Sequence, residues 1–558
     1  MLTEVLETRM NRGIYMKNSI LKKVATSLAL VLGLVLVLAS CQLSSNGTGS
    51  GDVKIANIAF TYPVSSMNPL HMDASEAMKY AVGMTWDPIV ELNENLEFEG
   101  VLAESVERLE DGKTFRVTLK DDAKWSDGQE IVADDLIYYV LRVTSPSVAN
   151  VTMSAYYLFE GFDEETGQVA DDATEVAGLV KVDDKTVDFV ARSEMSLENF
   201  NNNYMRYAFP LPAHVLSEKS AQELATTDWF NNPEVISGPY KPTSVDLSNA
   251  ITYTRNEQYW QGEPKINSLN IRIVPGSQLL SGLQSGEIDY VQQTTAVFPQ
   301  EDHNAIQELE GVEAIYADPV TSVFTFINTE TVPEENVRQA MLYAIDRQLL
   351  LAEFLDGNGE VVDGFLTSIS SYFDENLEVI QQDTAKAEEL LAKAQEDGWN
   401  PNTTYTFKID SGDQTFQQAA NIIVDQWKQV GINAQVQTTP LTQLLADAGN
   451  HAFDILSVQY TLPPAAPALD IAWLTGEGNW SNYRSDTVDQ LVGEAIIFSG
   501  ENEEGIAIYN QINALMQTEV PMFNTYVIKP LGAKSERLSA QDPSVFGGFM
   551  DLHAWDIN

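Results

Sequence analysis

Lys124-Trp-Ser-Asp-Gly-Gln-Glu-Ile-Val-Ala-Asp-Asp-Leu136 is the stretch on which the fold turns. Its residues read as scaffold. Trp125 belongs in a core, because an aromatic ring supplies a large area to bury, and Asp127-Gly128 makes a turn. Just upstream, Thr114-Phe-Arg-Val-Thr-Leu-Lys120 alternates, with Phe115, Val117 and Leu119 on one face of a half-buried strand. Asp111-Gly112 before it is a hairpin signal, and Val53-Lys-Ile-Ala-Asn-Ile-Ala-Phe60 is a further strand. Downstream, Val337, Ala340, Met341, Ala344 and Ile345 keep helical spacing after Pro333. Asp383 can cap a second helix, whose stripe of Ala387, Leu390, Leu391 and Ala394 is closed by Gly398. A third carries Ala419, Ile423, Trp427 and Val430, stops at Gly431, and is followed by the alternating Ile432, Ala434 and Val436. Strands and helices are interspersed throughout. That predicts mixed α/β lobes rather than a sandwich or a bundle.

The chain has 558 residues, too many for one core, so two or three lobes are expected. An apolar content of 44% excludes general disorder. The net charge of −49 repels phosphates and anionic headgroups, which excludes polynucleotide binding. Such a charge serves solubility first and attraction of cationic ligands second.

Cys41 is the only cysteine, and Leu38-Ala39-Ser40 precedes it at the end of an apolar run behind Lys22 and Lys23. A basic segment, an apolar stretch and small residues at a cleavage site make a secretory signal. Val24 to Ser40 includes Thr26, Ser27 and Ser40 and is too short for a membrane span. The signal is placed at 1–40, with its true start at Met16. Residues 41–51, rich in Gly and Ser, form a flexible leash.

Several segments, taken together, resemble the family 5 extracellular solute-binding lipoproteins of ABC importers, the oligopeptide, dipeptide and nickel-binding type. The opening stretch matches a W-S-D-G…T-A-x-D signature, with Val132 where Thr is common. Ser237-Gly-Pro-Tyr-Lys241 matches a G-P-Y element, and Arg255-Asn-Glu-Gln-Tyr-Trp260 with Gly286-Glu-Ile-Asp289 matches a second pair. Phe326-Ile-Asn328, Val337-Arg-Gln-Ala340 and Ala344-Ile-Asp-Arg347 complete the series in register. These motifs are mostly structural. Trp260 is a core aromatic, Gly238 is expected at a reversal needing positive φ, and Asp346 and Arg347 in structural ion pairs.

The resemblance implies a large two-lobed periplasmic-binding-protein-like α/β fold of type II, with an extra N-terminal subdomain and a two-strand hinge. Lobe I is expected from 52–85, 232–322 and 520–558, the subdomain from 86–231, and lobe II from 323–519. The chain would cross near Ser322 and near Val520-Pro521. It further implies lipidation of Cys41, an extracytoplasmic location on the cell membrane, and a partnership with a permease and an ATPase. The protein is expected as a monomer without cofactor or metal.

In relatives that bind peptides, an extended ligand lies between the lobes. The resemblance places His71, Met72, Asp73 and Ala74 along the cleft after Asn68-Pro69, and Asn328 at the first crossing. Tyr460 and Thr461 become an aromatic wall and a hydroxyl donor, and Tyr483 lines the same space. The position where oligopeptide binders carry an ammonium-binding aspartate is Pro463, so Asp470 or Asp73 takes over, or the ligand is held differently.

Enzymatic readings find little support. His71, His214, His303, His451 and His553 are scattered, without H-E-x-x-H spacing. Gly282-Leu-Gln-Ser-Gly286 has its serine at the wrong offset for a nucleophile elbow. The expectation is a non-enzymatic importer receptor for an oligopeptide or similar extended solute. An oligosaccharide receptor of the same family, or a peptide sensor without a transporter, remains open at this point.

Overall fold

A computed structural model describes residues 53–558, apart from 74, 149, 151–155, 295–296, 477–478, 499–501 and 548. Cys41 and its leash lie outside the described residues, as does Ala74.

Two large sheets organise the chain. A seven-stranded sheet runs in the order Val312–Tyr316, Leu531–Ser535, Tyr290–Val291, Ile55–Phe60, Ser268–Ile273, Ala250–Arg255, Tyr240–Asp246. Ile55–Phe60 lies at its centre, parallel to both neighbours. A six-stranded sheet runs Gly359–Glu360, Met522–Ile528, Thr321–Ile327, Ile455–Thr461, Thr404–Asp410, Asn433–Thr439. Its strand Thr321–Ile327 is buried at every residue, as a strand covered on both faces must be. We call the bodies built on these sheets lobe I and lobe II. A four-stranded antiparallel sheet, Ala103–Arg108, Thr114–Leu119, Thr186–Val190 and Leu179–Lys181, forms a further layer.

Strand Met522–Ile528 flanks Thr321–Ile327 antiparallel, so it belongs to the six-stranded sheet. The hydroxyls of Thr325 and Thr525 lie 2.8 Å apart and those of Thr325 and Ser457 2.5 Å apart, all buried. That buried hydroxyl row fixes the three strands together. The passages between the two large sheets are therefore 317–320 and 529–530, and the second lies beyond the expected Val520-Pro521. They are joined by the Ala317 amide, which donates to the Pro530 carbonyl at 2.8 Å.

The motif around Trp125 is a lock. Trp125 is fully buried, and its Nε1 donates to Asp135 Oδ2 at 3.1 Å. Asp135 also accepts from the amides of Val132 and Ala213. Trp260 is half-buried and donates to Asp87 Oδ2 at 2.9 Å. The predicted helices are present as Glu335–Tyr343, Thr384–Glu396 and Gln414–Val430. Asp383 caps the second by accepting from the Lys386 amide.

Two expectations change. Gly238 does not have a positive φ. It is required because a Cβ there would come within 2.7 Å of the Thr85 carbonyl carbon. Arg347 makes the expected buried ion pair, with Asp363 at 2.6 Å, but Asp346 makes none among the described residues. Asp346 instead caps the helix Arg347–Leu355 through the Leu349 amide.

Candidate ligand-binding site

Strand Ile455–Thr461 pairs with Thr321–Ile327 along its whole length. On its other side it meets Thr404–Asp410 only at Ile455 and Leu456. Beyond Leu456 the strand Thr404–Asp410 no longer pairs with it. Gln459 Nε2 reaches across the opening to Asp413 Oδ2 at 2.7 Å, and Asp413 caps the helix Gln414–Val430. An edge of this kind can accept an extended chain as one more strand.

Lobe I faces this opening. The Tyr62 phenol, just after the central strand, is pushed up to about 12, first by burial and then by Asp413 and Asp410 of lobe II. Further contacts hold the halves together. The Ser196 amide and Asn199 Nδ2 both donate to the Ile496 carbonyl at 3.1 Å, and Gln300 Nε2 donates to Asp356 Oδ2 at 3.3 Å.

A buried polar cluster sits where Tyr460 meets the opposite side. Lys79 Nζ and Arg206 Nε donate to the same oxygen of Glu91, at 2.9 and 2.7 Å. Lys79, Glu91 and Arg206 are 3%, 8% and 1% exposed, so the charges must satisfy one another. The two cations hold Glu91 below the usual carboxylate range, although burial, the largest influence, pushes the other way. Tyr207 follows in sequence, and Arg206, Glu76, Asp470 and Glu91 all lie close enough to act on its hydroxyl. From lobe II, Tyr460 donates its hydroxyl to Asp470 Oδ1 at 2.9 Å. Burial pushes the Asp470 carboxyl up to about 6, against the opposing pull of the Tyr460 hydrogen bond and Arg206. Three atoms of the cluster are buried without a hydrogen-bond partner: Arg206 Nη2, Glu76 Oε2 and Asp470 Oδ2.

The residues expected at the site distribute unevenly. Tyr460 and Thr461 end the strand Ile455–Thr461, Thr461 sharing a 2.9 Å hydroxyl contact with Thr321. His71 is half-buried in the turn Pro69–His71, and burial lowers its pKa. Met72 is 1% exposed and packs in the lobe I core. The Asp73 carboxylate accepts from Ser65 Oγ at 2.6 Å and the Ser75 amide at 2.8 Å, bracing the turn before the helix Glu76–Gly83.

Two of the expected contact residues have partners within the protein. Asn328 donates to the carbonyls of His451 and Phe453, and its Oδ1 accepts from the Glu330 amide and Asn482 Nδ2. It is 1% exposed, because it ties down loops below the sheet. Tyr483 is 4% exposed and donates to Glu519 Oε2 at 2.7 Å within lobe II. Tyr62, Glu76, Lys79, Glu91, Arg206 and Tyr207 were not expected. Arg206 carried a signal: it is the one charge inside the apolar run Tyr204-Met-Arg-Tyr-Ala-Phe-Pro-Leu211, in a chain with only 32 basic residues.

Among the described residues no helix is long and apolar enough to cross a membrane. No cluster of three or more histidine, cysteine or acidic side chains there could hold a metal ion.

The chain is 22% identical over 500 residues to the oligopeptide-binding protein AppA of Bacillus subtilis, covering 84% of this chain and 86% of that protein. The solved structure of B. subtilis AppA in complex with a nonapeptide matches with a TM-score of 0.75 at 19% identity, over 91% of this chain and all of that one. Lactococcal OppA, complexed with an endogenous peptide in the closed conformation, matches with a TM-score of 0.76 at 18% identity, over 90% of this chain and all of that one. At these identities the solved structures establish the fold, a two-lobed α/β solute-binding architecture. Residues 97–482 match the model of the bacterial extracellular solute-binding proteins, family 5 Middle, and the chain therefore belongs to family 5 of those proteins.

Proposed function

We propose that this protein is the receptor of an ABC importer, which traps an oligopeptide between its lobes and passes it to a membrane permease. The observation that carries this reading is that strand Ile455–Thr461 leaves Thr404–Asp410 after Leu456, with Gln459 bonded to Asp413 beside the gap so made. A peptide backbone satisfies a strand edge without regard to its side chains, which suits a receptor for many sequences. Capture works by ligand-stabilised closure, since the closed state offers contacts from both lobes that the open state does not. The relatives named above bind oligopeptides. Cys41 serves as a lipid anchor on the outer face of the cell membrane, the chain acts as a monomer, and it carries out no catalysis.

Melting curves test the reading, because a ligand that binds only the folded state raises the melting temperature. A mixed library of unmodified oligopeptides is expected to raise it. No shift with peptides, but one with cello- or manno-oligosaccharides, would assign the cleft to sugars instead.

A further inference from the structure

His303, at the start of the lobe I helix His303–Gln307, belongs to a hydrogen-bonded chain that ends on lobe II. Its Nε2 lies 3.4 Å from the Phe298 carbonyl and its Nδ1 2.9 Å from the Tyr316 hydroxyl. A carbonyl oxygen only accepts, so Nε2 carries the proton of the neutral ring and Nδ1 accepts from the phenol. The Tyr316 oxygen in turn accepts from Asn358 Nδ2 at 3.4 Å. Gln300 and Asp356, close in sequence to His303 and Asn358, make a second contact alongside. The chain crosses from lobe to lobe at the connectors themselves. Tyr316 ends the strand Val312–Tyr316, next to the connector 317–320, and the Asn358 carbonyl accepts from the Lys529 amide of the other connector at 3.4 Å.

Every bond in this chain runs one way, from Asn358 to Tyr316 to His303 to Phe298. A proton on Nδ1 reverses the middle link, because an imidazolium donates at both nitrogens. The phenol oxygen then receives two N–H groups and must turn its own proton elsewhere. Facing the ring are Tyr316 from the strand, Asp356 from lobe II, and Glu301 and Asp302 just before its own helix. Burial lowers the His303 pKa, against the Phe298 carbonyl and the carboxylates of Asp356, Asp302 and Glu301. A conformation that lowers a histidine pKa is one that protonation disfavours. Parting the lobes removes Asn358 and lets water take the phenol proton, so the cation is held more easily. Asp356 departs as well, but it is exposed and already accepts from Gln300, so its pull on the ring is screened.

We propose that His303 is a proton-operated catch on the hinge: neutral, it completes the chain that holds the lobes together at the connectors; protonated, it breaks that chain and lets them part. The catch acts on the lobes themselves and goes beyond the choice of ligand.

The test follows the full chain without ligand by small-angle scattering at about pH 7.5 and about pH 5.5, either side of the ordinary imidazole value. The radius of gyration is expected to rise at the lower pH. His303→Gln offers a carbonyl for the Tyr316 proton and has no proton to gain, so its radius should stay constant. Tyr316→Phe lacks the middle link and should lose the response too, which keeps the test informative if His303→Gln fails to fold. Asp470 titrates in the same interval, so the result lies in the difference between parent and variants. Calorimetry with the mixed oligopeptide library gives a second reading. Parent affinity should fall about threefold at the lower pH, as half a pKa unit between open and closed forms requires, and His303→Gln should remove most of that fall. An unchanged parent radius, or an equal rise in the parent and both variants, overturns the catch. A library that does not bind, with the scattering response intact, overturns the peptide reading and leaves the catch standing.

Discussion

Arg206 and Lys79 share one oxygen of Glu91, at 2.7 and 2.9 Å, in a place where none of the three exceeds 8% exposure. Removing the anion leaves two buried cations facing each other. Glu91→Gln is expected to cost about 3–5 kcal/mol, read as a lowered midpoint in urea denaturation.

The contact at Gly238 is of a different kind, because what an added Cβ would strike is backbone. The Thr85 carbonyl carbon and oxygen lie 2.7 and 2.8 Å from that position. Gly238→Ala forces the segments apart and should destabilise by about 1–3 kcal/mol. Gly128, whose Cβ would meet nothing within 4 Å but whose φ is +89°, provides the comparison. There the cost of alanine is conformational alone, so it should be smaller, as differential scanning calorimetry of the two variants would show.

Asp470 ties stability to pH. Its folded pKa, about 6, lies above the unfolded value, so above that pH the folded protein carries a buried charge that the unfolded chain holds in water. The groups acting on or acted on by it are Tyr460, Arg206, Tyr207 and Tyr509. Without ligand, Asp470→Asn should therefore be more stable than the parent at pH 8. The advantage should shrink as pH falls through 6 and vanish once the unfolded carboxyl is also protonated, near about pH 4. Melting curves of both proteins from pH 8 to 4 check the sign.

Asn199 carries part of the grip between the halves, since its Nδ2 donates to the Ile496 carbonyl. Asn199→Ala is expected to shift the ligand-free protein toward open forms. Small-angle scattering should report a larger radius of gyration, and added peptide library should return it to the parent value.

For the membrane attachment proposed through Cys41, Cys41→Ser should move the protein from the membrane fraction to the medium. Retention on cells at the parent level would remove the lipid from the account.

Much of the fold was legible because it rests on local pattern. The alternation in 114–120, the cap at Asp383 and the stripe through Trp427 each report the burial of one face, and each element is present. The crossing placed at Val520-Pro521 was not legible, because membership of Met522–Ile528 in a sheet depends on Thr321–Ile327, some two hundred residues away in sequence. The site was read only in part. Tyr460 and Thr461 lie on a strand, while the loop partners of Asn328 and the Glu519 partner of Tyr483 could not be foreseen, since a polar side chain serves a ligand and a neighbouring segment equally well in sequence. Arg206, Glu91 and Lys79 come from three separate segments. Only the fold makes them one group.

The two short connectors between the large sheets are bonded to each other through Ala317 and Pro530, not laid out as independent tethers. Strapped together, they constrain one another, and every restriction on how the open lobes can turn lowers the ordering cost of bringing them together on a ligand.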